Sequence, residues 1–350
     1  MNDALKDDPA NWESAGNARR RRALGRAEAL LGEQEFAWAK LASDAIEEHV
    51  PSAQRSAHVS SRVINLMPGA HETLGAVSEL KETVEAFGFG ARVLPELSNP
   101  RHEQPMVSAL LCGTPLSEIE KMAGAVRTVA VGEHMRQPAR LLKTKTGVPL
   151  TVLPSVIGLE ASDRLIALLS DLSGRSIPTR IAKQRAQLLE AMGEVQSRVT
   201  GKRVGIFAEP DLLRAFVRLF ERLGAEVPLA VNCTKAMVPL GQRTQHALSP
   251  KELASIAGLT QEDDLDLLVG NSKVEPLARS LGIPLFLVGS PIIGRVGHQY
   301  RALGGYRGTR ELVSEVGEVF SARSHRWRAE RREETLVYLP RTREAHRVGA

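Results

Sequence analysis

The chain has 350 residues, is 43% hydrophobic, and carries a formal net charge of +5 with two cysteines and nine histidines. That is enough for about two ordinary domains; no apolar run reaches the ~18 residues that cross a bilayer, and Met1–Leu31 has no apolar core of the signal-peptide kind, so a soluble cytoplasmic protein without a membrane partner is expected. Two cysteines exclude a disulfide scaffold and any CxxC-type metal site, and histidines without a ligand pair at helical spacing argue against mononuclear zinc.

Residues 1–34 balance six basic against six acidic side chains without clear periodicity, and a poorly ordered leader is expected there. The Arg19–Arg22 run has Asp3, Asp7, Asp8 and Glu13 close by and reads as solvated. Residues 35–61 hold one amphipathic helix and a linker. The helix is Phe36–Val50, with Trp38, Leu41, Ala45 and Ile46 on one face.

From residue 62 onward, short β-rich runs alternate with helices. Val63–Met67 ends at Pro68-Gly69, and Leu74, Val77, Leu80, Val84 and Phe87 then recur at spacings of three and four. Gly88 and Gly90 stop that helix, and Arg92-Val-Leu94 starts the next strand. Val126–Val131 precedes a helix through Met135–Lys145, and Leu150–Leu153 precedes another over Leu159–Leu172. These units define a first domain at residues 62–175. A long charged helix, Ile181–Val199, lies within a connecting segment at residues 176–200.

A second domain is expected at residues 201–320. Val204–Phe207 leads into Glu209-Pro210, with Asp211 as the expected N-cap of a helix over Leu212–Leu223. Val227–Val231, Leu265–Val269 and Pro284–Val288 read as strands, and Thr309–Phe320 as a helix. Glu262–Asp266 reads as a solvated approach to its strand. Residues 321–350 hold eight Arg against four Glu, with only Trp327 and Tyr338 interleaved. A nucleic-acid-binding face would pair cations with stacking aromatics on folded structure, so this is read as a solvated basic tail with no nucleic-acid partner.

Strands separated by helices pair in parallel. The fold class is therefore α/β: two Rossmann-like doubly wound parallel-sheet domains preceded by a single helix. In such sheets ligands bind beyond the carboxyl ends of the strands. Those loops supply the candidate binding residues: Gly69 and His71; Glu133, His134 and Arg136; Asn271, Ser272 and Lys273; and Arg295 and His298. No catalytic set is legible. Glu133 and His134 adjoin, as do Glu209 and Asp211, but neighbours in sequence are not thereby in hydrogen-bonding geometry. No Walker A loop or dinucleotide fingerprint is present. Gly304–Gly308 opens a helix whose amides, helped by Arg301 or Arg307, could hold an anion; a structural turn is the favoured reading. Cys112 and Cys233 lie in apolar, small-residue settings that suit buried thiols.

Val63-Ile-Asn-Leu-Met-Pro-Gly69, continuing to Glu79–Gly88, resembles the opening of the middle domain in beta-type subunits of the nitrogenase component 1 family. Val131–Arg136, Val204–Leu213, Leu267–Ser272 and Gly289–Arg295 with Tyr306–Thr309 resemble later segments in family order, nearest to the beta subunit of the iron–molybdenum cofactor assembly scaffold. The resemblance implies an alpha/beta heterodimer, usually doubled to a heterotetramer, with three Rossmann-like domains per subunit. It implies a scaffold on which an iron–sulfur precursor of the nitrogenase cofactor is held and matured. The cofactor ligands belong to the alpha partner, and a beta-subunit cysteine from the first domain ligates an interfacial cluster; the nitrogenase iron protein is a further partner. Here the resemblance reaches the first domain only at its closing helix, Phe36–Val50, and neither Cys112 nor Cys233 matches the cluster ligand. The expectation is a chain that binds no metal or cofactor alone and meets an iron–sulfur cluster or precursor only with its alpha-type partner. A subunit of a related tetrapyrrole-type reductase and a stand-alone small-molecule binder are the alternatives.

Overall fold

The structure, a computed structural model, describes residues 34–52, 62–96, 114–234, 244–246 and 265–337; Cys112, most of the leader and the end of the basic tail lie outside them. Helix α1 (Gln34–His49) comes first. It packs through Ala42, Ile46 and Val50, while Leu41 is 43% exposed. Of the expected face, Ile46 is buried and Trp38 and Ala45 pack against the same cluster, so the buried stripe is shifted only in taking Ala42 in place of Leu41. Trp38 Nε1 donates to Pro68 O at 2.9 Å, tying α1 to the end of the first strand.

The first sheet is built from β1 (Val63–Met67), β2 (Gly90–Val93), β3 (Arg127–Val131) and β4 (Leu150–Leu153). Helices α2 (Leu74–Ala86), α3 (Leu116–Glu120), α4 (Arg136–Thr146) and α5 (Leu159–Ser173) connect and follow them. All pairings are parallel, in the order β2-β1-β3-β4. Burial of β1 and β3 on both faces explains why they read as near-continuous apolar runs. Helix α2 buries Val77, Leu80 and Val84, the stripe visible in the sequence, and Thr73 caps it by accepting from Ala76 N at 3.1 Å.

Helix α6 (Thr179–Val199) carries the chain to the second sheet. There follow β5 (Arg203–Ala208), α7 (Pro210–Arg222), β6 (Glu226–Asn232), β7 (Thr244–His246), β8 (Leu267–Gly270), α8 (Glu275–Leu281), β9 (Leu285–Leu287) and α9 (Gly305–Val337). The sheet is parallel throughout, in the order β7-β6-β5-β8-β9. Its order reverses between β5 and β8, and that of the first sheet between β1 and β3. Such switch points open a crevice at the carboxyl ends of the flanking strands.

One apolar cluster runs through both sheets, joining Ile64 and Leu66 of β1 to Val204 and Ile206 of β5 through Leu188, Val195 and Val316 of the long helices. Smaller clusters cover the outer faces: α1 and α4 on the first sheet, α8 on the second. Helix α9 begins four residues before the expected start. It packs along α6 and reaches α5 and α2. Arg307 there pairs with Glu79 and Glu82, and Arg301 with Glu315, so neither guanidinium is left for an anion at the helix start. Among the described residues no helix is long and apolar enough to cross a membrane.

Helices α6 and α9 approach closely at Gly317, where a Cβ would lie 2.7 Å from Val195 Cγ2. Gly317→Leu is therefore expected to cost about 1–3 kcal/mol of stability in chemical denaturation. Gly193 is exposed on α6 with open space around it, and Gly193→Ala should add about 0.5–1 kcal/mol. Equal effects at both glycines would contradict this packing.

Candidate functional site

The carboxyl ends of the two sheets meet around a set of buried ionisable side chains. After β1 the chain turns at Pro68-Gly69, with Glu72 N donating to Gly69 O at 3.0 Å, and this sends His71 and Glu72 inward before Thr73 starts α2. After β3, Gly132 takes φ +96°, a conformation few side chains tolerate, and the following tight turn delivers His134. A Cβ at Gly69 would lie 2.8 Å from His134 Cε1 and 2.9 Å from His71 Cε1; one at Gly132 would lie 2.8 Å from His134 Cε1. The two glycines therefore make room for two imidazoles, whose centroids stand 5.9 Å apart, edge to face.

His134 is hydrogen-bonded at both ring nitrogens. Ala70 N–H donates to Nε2 at 3.0 Å, which places the proton of the neutral ring on Nδ1. Nδ1 in turn lies 2.7 Å from Asp211 Oδ2, and the same carboxylate oxygen accepts from His134 N at 3.3 Å. Asp211 comes from the second sheet, in the first turn of α7. It is not the N-cap expected from the sequence. Glu209 holds that position, Pro210 opens the helix, and the Asp211 carboxylate is drawn to His134 instead. Glu35, in the first turn of α1, brings Oε1 to 3.8 Å from His134 Nδ1. His71 Nε2 faces Glu72 Oε1 at 3.4 Å. One ligand atom from each of Glu35, His71 and His134 lies within 4.8 Å of the others.

Burial and mutual charge shift these groups strongly. Burial, aided by the Asp211 charge, pushes the Glu35 carboxyl up to about 8. Burial alone would depress His71, but the Glu72 carboxylate, with Asp211 and Glu35 behind it, raises it to about 9. Burial holds His134 below its ordinary value against the pull of Asp211. For Asp211, burial is outweighed by the His134 hydrogen bond and the His71 charge, so its carboxyl is depressed. Burial raises Glu209, whose Oε2 has no hydrogen-bond partner. A groove of about 570 Å³, lined in part by Glu133, Arg164, Asp211, Arg214 and Arg218, shares Asp211 with this cluster.

Of the residues singled out in the sequence, Gly69, His71 and His134 come together here. Glu133 and Arg136 form a local ion pair at 2.7 Å, beside the cluster and partly exposed. Asn271 is a structural cap: its Oδ1 accepts from Lys273 N at 3.0 Å and its Nδ2 donates to Ser290 O at 2.8 Å. Ser272 Oγ accepts from Ile293 N at 2.7 Å, and the Lys273 side chain is exposed. Arg295 pairs with Glu315 at 3.2 Å, and His298 is depressed by burial and by the Arg301 and Arg295 charges. Neither is part of the cluster. Glu35, Glu72, Glu209 and Asp211 were not singled out as binding residues. Strand-end position was a usable signal for Glu209 and Asp211; Glu35 and Glu72 had none. Histidine spacing could not reveal the cluster, because its ligands come from three separate segments.

An iron–sulfur cluster is held by cysteine thiolates. Cys233, the one described cysteine, is a half-buried thiol pushed up to about 12 by desolvation and by the Glu209 charge, so it does not fit such a ligand.

Residues 26–321 match the family model described as nitrogenase component 1 type oxidoreductase. The chain is 35% identical over 301 residues to a nitrogenase iron-molybdenum cofactor biosynthesis protein NifN from Mesorhizobium japonicum, covering 84% of this chain and 64% of the relative. It is 36% identical to the protein of the same name from Sinorhizobium fredii, covering 74% of this chain and 55% of the relative. The chain thus spans less than two thirds of either relative. The solved structure "Nitrogenase Cp1 at pH 6.5" superposes with a TM-score of 0.73 at 24% identity, over 83% of this chain and 66% of that one, and shows the same fold.

The raised groups dictate how stability varies with pH. Folding lifts Glu35 from 4.5 to about 8 and His71 from 6.5 to about 9, so between pH 6.5 and 9 the folded chain keeps protons that the unfolded chain has released. Stability then falls as pH rises, by up to about 1.4 kcal/mol per pH unit for each retained proton. Asp211 and His134, both depressed, act in the opposite sense but only below pH 6.5. In chelator-containing buffer the melting temperature is expected to drop across pH 6.5–9, and Glu35→Gln to make that profile shallower. A flat profile in the unsubstituted chain would refute this electrostatic picture.

Proposed function

This chain belongs to the nitrogenase component 1 type oxidoreductase family, and from that premise we propose that it is a beta-type subunit of the scaffold on which the iron–sulfur precursor of the iron–molybdenum cofactor is held and matured. The observation that carries the reading is the likeness to the cofactor-biosynthesis relatives, which extends through both sheets rather than through one motif. Residues 62–175 and 201–320 act as its two Rossmann-like domains. An alpha-type subunit, in the cytoplasm, is the obligatory partner and supplies the ligands of the precursor.

The geometry supports a role for the described part of this chain that does not ligate the iron–sulfur precursor. Its one described thiol is half-buried and protonated, and its strand-end cleft is filled by imidazoles and carboxyls rather than open to a large inorganic cargo. What these residues contribute is a rigid, charged wall. The His134–Asp211 contact fixes the two sheets relative to each other, and arginines of α7 line the neighbouring groove.

Anaerobic co-expression with an alpha-type scaffold subunit tests this reading. A stable complex is expected on size exclusion, with iron and acid-labile sulfide in the complex and no sulfide on the isolated chain. Cys233→Ser should leave the sulfide content of the complex unchanged. Failure to form any complex would end the scaffold reading, and sulfide on the isolated chain would show that its own cysteines act as ligands.

A further inference from the structure

We propose that Glu35, His71 and His134 bind a single divalent transition-metal ion at the junction of the two sheets, of the class that imidazole-and-carboxylate sites take: zinc, ferrous iron or cobalt(II). Three separate segments deliver the ligands: the first turn of α1, the loop after β1 and the loop after β3. Their ligand atoms lie within 4.8 Å of one another. A tetrahedral ion with bonds of about 2.0–2.1 Å would bring them to roughly 3.3 Å apart, a closure of side chains and not of the fold.

Two polar atoms on these side chains have no hydrogen-bond partner. Glu35 Oε1 and His71 Nδ1 are buried without a hydrogen bond, on side chains only 9% and 3% exposed. Leaving such atoms unpaired in an interior is costly, and one shared ion satisfies both. His134 already holds a hydrogen bond at each ring nitrogen, so coordination exchanges one of them for a bond to the metal. Asp211 remains the outer partner of Nδ1 when the ion takes Nε2, an arrangement that orients metal-bound histidines.

The charge balance points the same way. Glu35, Glu72, Glu209 and Asp211 place four buried carboxyls around two imidazoles, so a dication displaces protons instead of adding uncompensated charge. Magnesium and calcium favour all-oxygen shells and are disfavoured by the two imidazoles. Three protein ligands leave a coordination position free for water. The site stands on this cluster alone: a chain that failed to pair with an alpha-type subunit would still bind the ion.

The test uses the full chain without an affinity tag, stripped with chelator and titrated anaerobically with cobalt(II) chloride. Expected are stoichiometric uptake, the visible absorption of a nitrogen–oxygen cobalt site, displacement by zinc chloride, and a melting temperature raised by the metal. Glu35→Gln, which keeps the side-chain shape, and His71→Gln should lose the absorption with unchanged circular dichroism, whereas His298→Ala, outside the cluster, keeps it. Asp211→Asn should weaken binding by about 10- to 100-fold. X-ray absorption of the zinc-loaded unsubstituted chain gives a readout independent of variant folding, and two imidazoles in the coordination shell are expected. Absence of stoichiometric uptake, uptake unaffected by Glu35→Gln and His71→Gln, or a shell without imidazole overturns the site and leaves a proton-sharing network in its place.

Discussion

The hydrogen bond between His134 and Asp211 is the point on which the arrangement of the two sheets turns. Its imidazole belongs to the loop after β3 and its carboxylate to the first turn of α7, so it spans the two switch points directly. A buried ion pair or charge-assisted hydrogen bond adds little net stability, because desolvation offsets much of its attraction, but breaking one partner away is costly. Adhesion between the sheets therefore comes from the apolar cluster that runs from β1 through α6 and α9 to β5. The polar contact acts on geometry: a small slip of one sheet against the other would strand a carboxylate in the interior. Gly69 and Gly132 serve the same constraint, since neither position has space for a side chain beside the rings.

The same junction explains the spread of proton affinities among chemically similar groups. Glu35 and Asp211 are both buried carboxyls near His134, yet one is raised and the other depressed. The difference lies in partners. Asp211 accepts from His134 at both Nδ1 and the main-chain N, whereas Glu35 Oε1 has no donor and feels the Asp211 charge. His71 and His134 diverge as well, because Glu72 lies beside His71, whereas burial and the His71 charge outweigh the pull of Asp211 on His134. Environment, not residue type, assigns the charges here.

Much of the fold was legible because its signals are local. Runs such as Val63–Met67 and the spacing of Leu74, Val77, Leu80 and Val84 report burial within a few residues of themselves, and the sheets follow from their alternation. Strand-end position also picked out Gly69, His71 and His134. Asp211 was misassigned because a first-turn aspartate is a good cap in isolation, and only the tertiary approach of His134 outbids the helix amides. Glu35 was invisible for a stronger reason. It lies at the start of an amphipathic helix where an acidic residue suits the helix dipole, and nothing nearby in sequence indicates that His71 and His134 will come to rest against it. The one shift in the α1 stripe, with Ala42 in and Leu41 out, has the same origin: hydrophobicity favoured leucine, but tertiary packing took the smaller side chain.

The contents of the cleft bear on what the junction between the sheets can accommodate. A doubly wound sheet offers its crevice to a ligand, and this chain has two such crevices turned toward each other. Both are occupied by the chain's own groups: two imidazole rings, the α1 carboxyl, and Trp38 anchored on Pro68 O. The junction instead fixes the two sheets beneath the loops that surround it. Rigidity at that place has a physical source in the structure, since the continuous core and the polar lock act at opposite levels of the same interface. The core resists separation of the sheets and the lock resists their sliding, so the loops that both sheets contribute to this surface keep one shape.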